Sequence, residues 1–143
     1  QQTKLQLVKT IIYPHSDYCS LVYYYFLTNE NCLKLQKIQN ACIRFVRCVP
    51  RRHHITPHLV RLNELNFRLR TLFQAAVFLH KLLLTKVPSY LHQLLLRRSE
   101  EHCRNIRFDT FTIPQHSSKK FEGSFSYMAP TILNKFLEYL NLP

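Results

Sequence analysis

Side chains that could ligate a metal ion are concentrated in one short stretch of the sequence. Within 17 positions the chain places two cysteines and three histidines, namely Cys42, Cys48, His53, His54 and His58. Structural zinc is bound by such groups, but its sites usually contain a C-x2-C pair, and no such pair occurs in this chain. We therefore expect no metal site and no cofactor in this chain.

Acidic side chains are too few and too scattered for phosphoryl-transfer chemistry. Metal-dependent phosphoryl transfer needs clustered carboxylates to hold its Mg²⁺ ions. The chain has two aspartates, Asp17 and Asp109, which are 92 positions apart. Its single glycine, Gly123, excludes a glycine-rich phosphate-binding loop. The sequence therefore predicts a chain that is catalytically inactive by itself.

Positive charge is the strongest functional signal. The 143 residues include 20 Lys and Arg against 8 Asp and Glu, a net charge of +12 with neutral histidines. Between Lys34 and Arg70 lie nine basic residues and one acid, Glu64. We take the following as candidate nucleic-acid-binding residues: Lys34, Lys37, Arg44, Arg47, Arg51, Arg52, Arg68 and Arg70. Because guanidinium groups bind phosphate oxygens with paired hydrogen bonds, this composition favours a phosphate-bearing partner.

Other interpretations of the basic segment stay open at this point. A solvated helix face would also be charged, although such a face normally mixes both signs of charge. An acidic protein or an anionic lipid surface would also attract it. Nucleic acid is the interpretation that we favour, and contacts to its backbone would carry no sequence preference.

Cysteine usage and hydropathy indicate a compartment. The five cysteines are an odd number at irregular spacing, which is typical of a reduced, intracellular chain, nuclear or cytoplasmic. The most apolar stretch, residues 5–27, is interrupted by Lys9, Pro14 and Asp17. A membrane-spanning helix needs roughly 18 or more apolar residues, so we expect no membrane partner.

Helices must position the basic residues, since the patterning predicts a mostly α-helical, irregular bundle of five to seven helices. A short extended or β arm is expected near the C-terminus, at residues 106–112. We expect residues 1–96 to form the bundle and residues 97–143 to form the arm and last helix, as parts of one domain. The predicted helical segments are residues 4–13 (ended by Pro14), 17–26 (capped by Ser16 and Asp17, and equally compatible with a strand), 29–49 (capped by Thr28 or Asn29), a short helix from Thr56, 67–85 (capped by Asn66), 88–96 and 124–140.

In two of these segments, the distribution of apolar and charged residues predicts which side of the helix is buried. In residues 29–49, helical periodicity places Lys34, Lys37, Arg44 and Arg47 opposite an apolar face. That predicted apolar face consists of Leu35, Ile38, Cys42, Phe45, Val46 and Val49. Residues 67–85 are apolar nearly all round, which predicts a central, buried helix. One of its sides carries Leu69, Leu72, Phe73, Ala76, Val77, Leu83 and Leu84.

Residues 7–20, 35–45, 88–91 and 113–134 contain four collinear blocks, which together resemble the region after the palm in non-LTR (LINE-type, jockey-like) retrotransposon reverse transcriptases. The first two are residues 7–20 (LVKTIIYPHSDYCS) and residues 35–45 (LQKIQNACIRF), the latter similar to a family helix that contains "QN" and a following arginine. The third is residues 88–91 (PSYL), similar to the family's "P.YL". The fourth joins residues 113–118 (IPQHSS) to residues 124–134 (SFSYMAPTILN), although Leu133 stands where the family has tryptophan.

The resemblance implies a position within a longer RNA-directed DNA polymerase. This chain would be its non-catalytic C-terminal part, the thumb and post-palm region, while the catalytic aspartates and their Mg²⁺ would lie in the palm, outside this chain. The implied partners are RNA, an RNA–DNA hybrid, and the palm and fingers of the same polymerase. Residues 29–49 would be a thumb-like helix against the template–primer backbone. The alternatives are a helical interaction module that docks an acidic protein, and a degenerate transposon relic without function.

Overall fold

The computed structural model describes residues 1–96 and 110–140, and these residues are mostly α-helical, which confirms the predicted fold class. Within these ranges the only extended pairing is a single bridge residue, Phe111. Most of the predicted arm at residues 106–112 lies outside the described residues. The α-helices of the described part are α1 (Gln2–Leu7), α2 (Tyr13–Asp17), α3 (Ser20–Tyr23), α4 (Asn29–Arg47), α5 (Thr56–Arg61), α6 (Phe67–Thr85), α7 (Ser89–His92) and α8 (Phe125–Leu140).

The chain divides into two compact units, Gln1–Phe73 and Gln74–Pro143. The first, which we call the N-terminal unit, contains α1 to α5 and the start of α6. The second, the C-terminal unit, contains the rest of α6, α7 and α8. The boundary that we expected at residues 96/97 adjoins residues outside the described part, and it stays a prediction.

The beginning of the chain continues as a helix where the sequence predicted a stop at Pro14. A π-helical turn, Val8–Ile12, joins α1 to α2, and Pro14 lies in the first turn of α2. Proline has no N–H to donate to the preceding turn, and the turn that directly precedes it is this π-helical one, which departs from regular α-helical hydrogen bonding. The helix predicted from Asp17 is also wrong in its start, since α3 begins only at Ser20, after Cys19 adopts a left-handed conformation with φ 53°.

Helix α4 confirms the most clearly predicted segment. Its N-cap is Thr28, whose Oγ1 accepts a hydrogen bond from the backbone N–H of Asn31 at 3.4 Å. The predicted apolar face is only partly correct, because Ile38 and Phe45 are exposed. The side chains that α4 buries are Gln39, Cys42, Ile43 and Val46. Cys42 and Val46 belong to a cluster with Val8 and Tyr13, so the packing against the N-terminal segment sets the buried face.

Helix α6 has the predicted bounds and the predicted cap, since Asn66 Oδ1 accepts from the Leu69 N–H at 2.8 Å. Its expected burial all round is wrong. The buried positions are Phe67, Thr71, Ala75, Leu79 and Leu82, whereas Leu69, Leu72, Phe73, Val77 and Leu84 are exposed. The packed side combines large side chains with the small Thr71 and Ala75, and the Thr71 hydroxyl is satisfied by donating to the Phe67 carbonyl at 3.1 Å.

In the C-terminal unit, α8 organises the packing. Its buried residues are Met128, Ala129, Pro130, Ile132 and Leu133. The Asn134 side chain forms two hydrogen bonds with the backbone of Phe111, accepting from its N–H at 2.8 Å and donating to its carbonyl at 2.9 Å. These two hydrogen bonds fasten the segment around Phe111 to α8.

Candidate nucleic-acid interface

A polar cavity of about 480 Å³ lies in the N-terminal unit, between α4, the turn that follows it, α5 and the start of α6. Three of the eight candidate residues line it, namely Arg44, Arg51 and Arg52. His53 and His54 also line it, and none of its lining residues is acidic. Within the described part of the chain, none of the three guanidinium groups makes an ion pair. We call this the arginine cavity.

The end of α4 brings these arginines together. The helix ends at Cys48, whose left-handed backbone (φ 54°) turns the chain away from the helix axis. The N–H groups of Cys48 and Val49 both donate to the Arg44 carbonyl, which closes the helix end. Residues 50–53 then form a turn in which the His53 N–H donates to the Pro50 carbonyl at 3.1 Å. The arginines of this turn are therefore adjacent to Arg44 on the last turns of α4.

Amide side chains also line the cavity, and one of them joins α4 to α6. Gln36, Asn40 and Arg44 follow each other at four-residue spacing, so they share one face of α4. Gln36 Oε1 accepts from the Phe67 N–H at 3.1 Å, and its Nε2 donates to Asn40 Oδ1 at 2.9 Å. The buried Gln39 donates to the Leu65 carbonyl at 2.7 Å. These amides are not among the candidate residues predicted from the sequence, although the polar row of Gln36, Asn40 and Arg44 at four-residue spacing was a signal that could have indicated them.

The other candidate residues on α4 lie outside the cavity. Lys34 pairs with Glu30 one turn earlier, at 2.8 Å between Nζ and Oε1, and both side chains are exposed. Lys37 is exposed on the same helix. Arg47 is half-buried, and its Nη1 donates to Gln1 Oε1 at 2.8 Å. Arg68, on α6, is exposed. These residues can add positive charge around the cavity without lining it.

Arg70, the last candidate, is engaged inside the N-terminal unit. Its Nη2 lies 2.9 Å from Asp17 Oδ1 and donates to Ser16 Oγ at 3.1 Å. Its guanidinium carbon lies 3.8 Å from the centre of the Tyr13 ring, a cation–π contact. Only 12% of the Arg70 side chain is exposed, and it lines a second, apolar cavity of about 260 Å³. This placement gives Arg70 a structural role.

The electrostatics around the arginine cavity are dominated by cations. Partial burial, and then the charges of Arg47 and Arg61, lower the pKa of His58 below its usual value. Glu64, the one acid between residues 34 and 70, is largely buried and pairs with Lys9 at 2.6 Å. Glu64 does not line the cavity, and among the described residues its carboxylate forms no ion pair with the three arginines.

The cysteines and histidines do not converge in the part of the chain that is described. No group of three or more His, Cys, Asp or Glu side chains there could hold a metal ion. Cys19, Cys32, Cys42 and Cys48 form no disulfide bonds, and burial raises the pKa of the Cys42 thiol.

Among the described helices, none combines the length and apolar character needed to cross a membrane.

Comparisons of the chain with protein-family models, with curated proteins and with solved structures give no significant match. The resemblance of the four sequence blocks stays a prediction.

Proposed function

We propose that this chain binds the phosphate backbone of RNA or of an RNA–DNA hybrid, as the non-catalytic, thumb-like C-terminal part of a non-LTR retrotransposon reverse transcriptase. The basic surface is centred on the arginine cavity. Lys34, Lys37, Arg47 and Arg68 would contribute outer contacts. Arg70 would support the fold of the N-terminal unit.

The observation that carries this proposal is the convergence of Arg44, Arg51 and Arg52 on one cavity without an acidic lining residue. Guanidinium groups held close together repel each other, and a fold would gain stability by pairing them with carboxylates. No described carboxylate is so placed, and an anionic ligand would supply the compensation. Phosphate oxygens fit this role because they accept paired hydrogen bonds from a guanidinium.

The test is the salt dependence of binding. Each phosphate contact to a single strand contributes a slope of about −0.7 in log K against log salt. Replacing the three cavity arginines, in the variant Arg44→Gln/Arg51→Gln/Arg52→Gln, should therefore flatten the slope by about 2 for a single-stranded RNA. Over a fourfold rise in salt, the wild-type chain should lose about 18-fold more affinity than the variant. Fluorescence anisotropy with a labelled RNA measures both quantities.

A matched variant removes the same charge outside the cavity. In Lys34→Gln/Lys37→Gln/Arg68→Gln, three cations are lost from exposed positions, one of which already pairs with Glu30. We expect its slope to change by about 1 or less. Equal flattening by both variants would mean that binding depends on diffuse charge, and the cavity would lose its assigned role. No binding at all by the wild-type chain would contradict the proposed function.

An acidic protein partner is the second candidate, favoured by the same acid-free cavity. Carboxylates also form paired hydrogen bonds with guanidinium groups, so a glutamate-rich segment could occupy it. Competition separates the two candidates. Polyglutamate and unlabelled RNA are compared at equal concentrations of negatively charged groups. If polyglutamate displaces the labelled RNA as well as unlabelled RNA does, the acidic-protein interpretation is favoured.

A further inference from the structure

We propose that the arginine cavity binds a terminal phosphate of a nucleic-acid strand in preference to an internal phosphodiester. This inference rests on the proposed function, because it names the chemical group that the same site selects. Three features of the cavity support this inference: the hydrogen-bonding atoms on its wall, the number of its cations, and the unequal burial of its arginines.

The amides on the cavity wall offer a ligand mainly hydrogen-bond donors. Backbone N–H groups can only donate, so the atoms of Gln36 and Asn66 that bind the Phe67 and Leu69 N–H groups must be the amide oxygens. Gln36 then has its nitrogen directed to Asn40, and the acceptor on Asn40 must also be its oxygen. Each of these oxygens already accepts a hydrogen bond, whereas the Nδ2 groups of Asn40 and Asn66 donate to no other residue in the described part of the chain and can donate to a ligand.

The number of donors and cations matches a terminal phosphate better than a diester. Three guanidinium groups, each with five N–H donors, line the cavity together with these amides. An internal phosphodiester carries one negative charge and two non-bridging oxygens. A terminal phosphate carries a charge of about −1.5 to −2 at pH 7 and three strong acceptor oxygens. The cavity volume, about 480 Å³, is within the usual range for small-ligand sites, about 300–1,000 Å³.

The burial of the arginines indicates how such a group would enter. Arg44 is half-buried, and its Nε is buried without a hydrogen bond to a described residue. Arg51 and Arg52 are exposed. A phosphate must reach into the cavity to contact all three. An internal phosphodiester carries nucleotides on both sides, whereas a terminal phosphate carries one and can enter end first.

The experiment compares one short single-stranded RNA in three forms: with a 5′-phosphate, with a 3′-phosphate, and with hydroxyl groups at both ends. We expect at least one phosphorylated form to bind the wild-type chain about tenfold more tightly than the hydroxyl form, the gain of one additional charge-assisted contact. The two phosphorylated forms show which strand end is selected. Inorganic phosphate at millimolar concentration should abolish the difference, which tests whether the phosphate group alone is sufficient.

Two single variants locate the effect. Arg51→Gln and Arg52→Gln change exposed side chains, so the fold should be kept, and circular dichroism checks this. Each should reduce the preference for the terminal phosphate to less than about threefold. The matched control Lys81→Gln, an exposed cation that neither lines the cavity nor belongs to the proposed contacts, should keep the preference.

The outcomes separate this inference from the proposed function. If all three RNA forms bind equally and with a steep salt dependence, the proposed function stands and the terminal-phosphate inference is overturned. A preference that survives in both Arg51→Gln and Arg52→Gln also overturns it, because the phosphate would then bind elsewhere. If none of the forms binds, both proposals fail.

Discussion

The substitution Arg70→Met should destabilise the N-terminal unit without removing a ligand contact. Methionine keeps an apolar stem of similar length, so the packing of that stem is largely retained. What is lost is the guanidinium group, with its ion pair to Asp17, its hydrogen bond to Ser16 and its contact with the Tyr13 ring. The Asp17 carboxylate, whose side chain is 25% exposed, then loses its partner at 2.9 Å.

The magnitude follows from these contacts. A hydrogen bond to a charged group contributes about 1.5–3 kcal/mol net, and a cation–π contact about 0.5–2 kcal/mol. Because Asp17 stays partly solvated and the methionine is cheaper to bury than arginine, the lower part of the summed range applies. We expect a loss of about 2–3 kcal/mol in the free energy of unfolding. With a urea m-value of about 2 kcal/mol/M, the midpoint should fall by about 1–1.5 M.

Urea unfolding followed by far-ultraviolet circular dichroism measures this change, and RNA binding is measured on the same samples. Arg68→Met is the matched control, since it removes an exposed cation from the same helix and should shift stability by less than about 0.5 kcal/mol. The reasoning is refuted if Arg70→Met leaves the midpoint unchanged and weakens RNA binding as much as Arg52→Gln does. Arg70 would then be a ligand contact, as the sequence alone suggested.

Three further predictions concern the fold. Replacing the fully buried Ile43 by alanine should cost about 2–4 kcal/mol in urea unfolding, whereas Ile38→Ala, at a position 54% exposed, should cost less than about 1 kcal/mol. Asn134→Ala should speed hydrogen exchange at the Phe111 amide at least about tenfold, because that N–H loses its 2.8 Å acceptor; unchanged exchange would contradict the fastening role. Burial raises the pKa of Tyr25 to about 12, so its ionisation should lower stability as the pH rises from about 10, where unfolded tyrosine ionises, towards 12. The urea midpoint of Tyr25→Phe should therefore fall less over this range than that of the wild type, and an identical fall would contradict the assignment.

Local signals predicted the helices better than they predicted their packing. Thr28 and Asn66 are good N-caps, and both α4 and α6 begin directly after them. The buried side of α6 was not predictable, because a helix that is apolar nearly all round has no amphipathic signal to orient it. Helix α4 had a clear polar face, but the buried position of Gln39 depends on the Leu65 carbonyl, a tertiary partner.

For the candidate site, too, the local sequence predicted which residues are basic, whereas their arrangement depends on the fold. The basic composition of residues 34–70 identified Arg44, Arg51 and Arg52, yet their convergence depends on the left-handed conformation of Cys48. Glycine or asparagine would have signalled such a conformation, whereas cysteine does not. Arg70 was grouped with them by charge, and only the fold pairs it with Asp17, 53 positions earlier.

Gln36 lines the arginine cavity, and its side chain also links α4 by a hydrogen bond to the first residue of α6. A ligand that fills the cavity would contact Gln36 and stabilise the link between the two helices. Ligand binding and folding therefore depend on the same contacts. By mass action, a ligand present at 100 times its dissociation constant adds about 2.7 kcal/mol to the stability of the folded state. The melting temperature of the chain would thus measure ligand binding to the cavity without any label. A panel of phosphates, nucleotides and acidic peptides could be ranked by how far each raises that temperature.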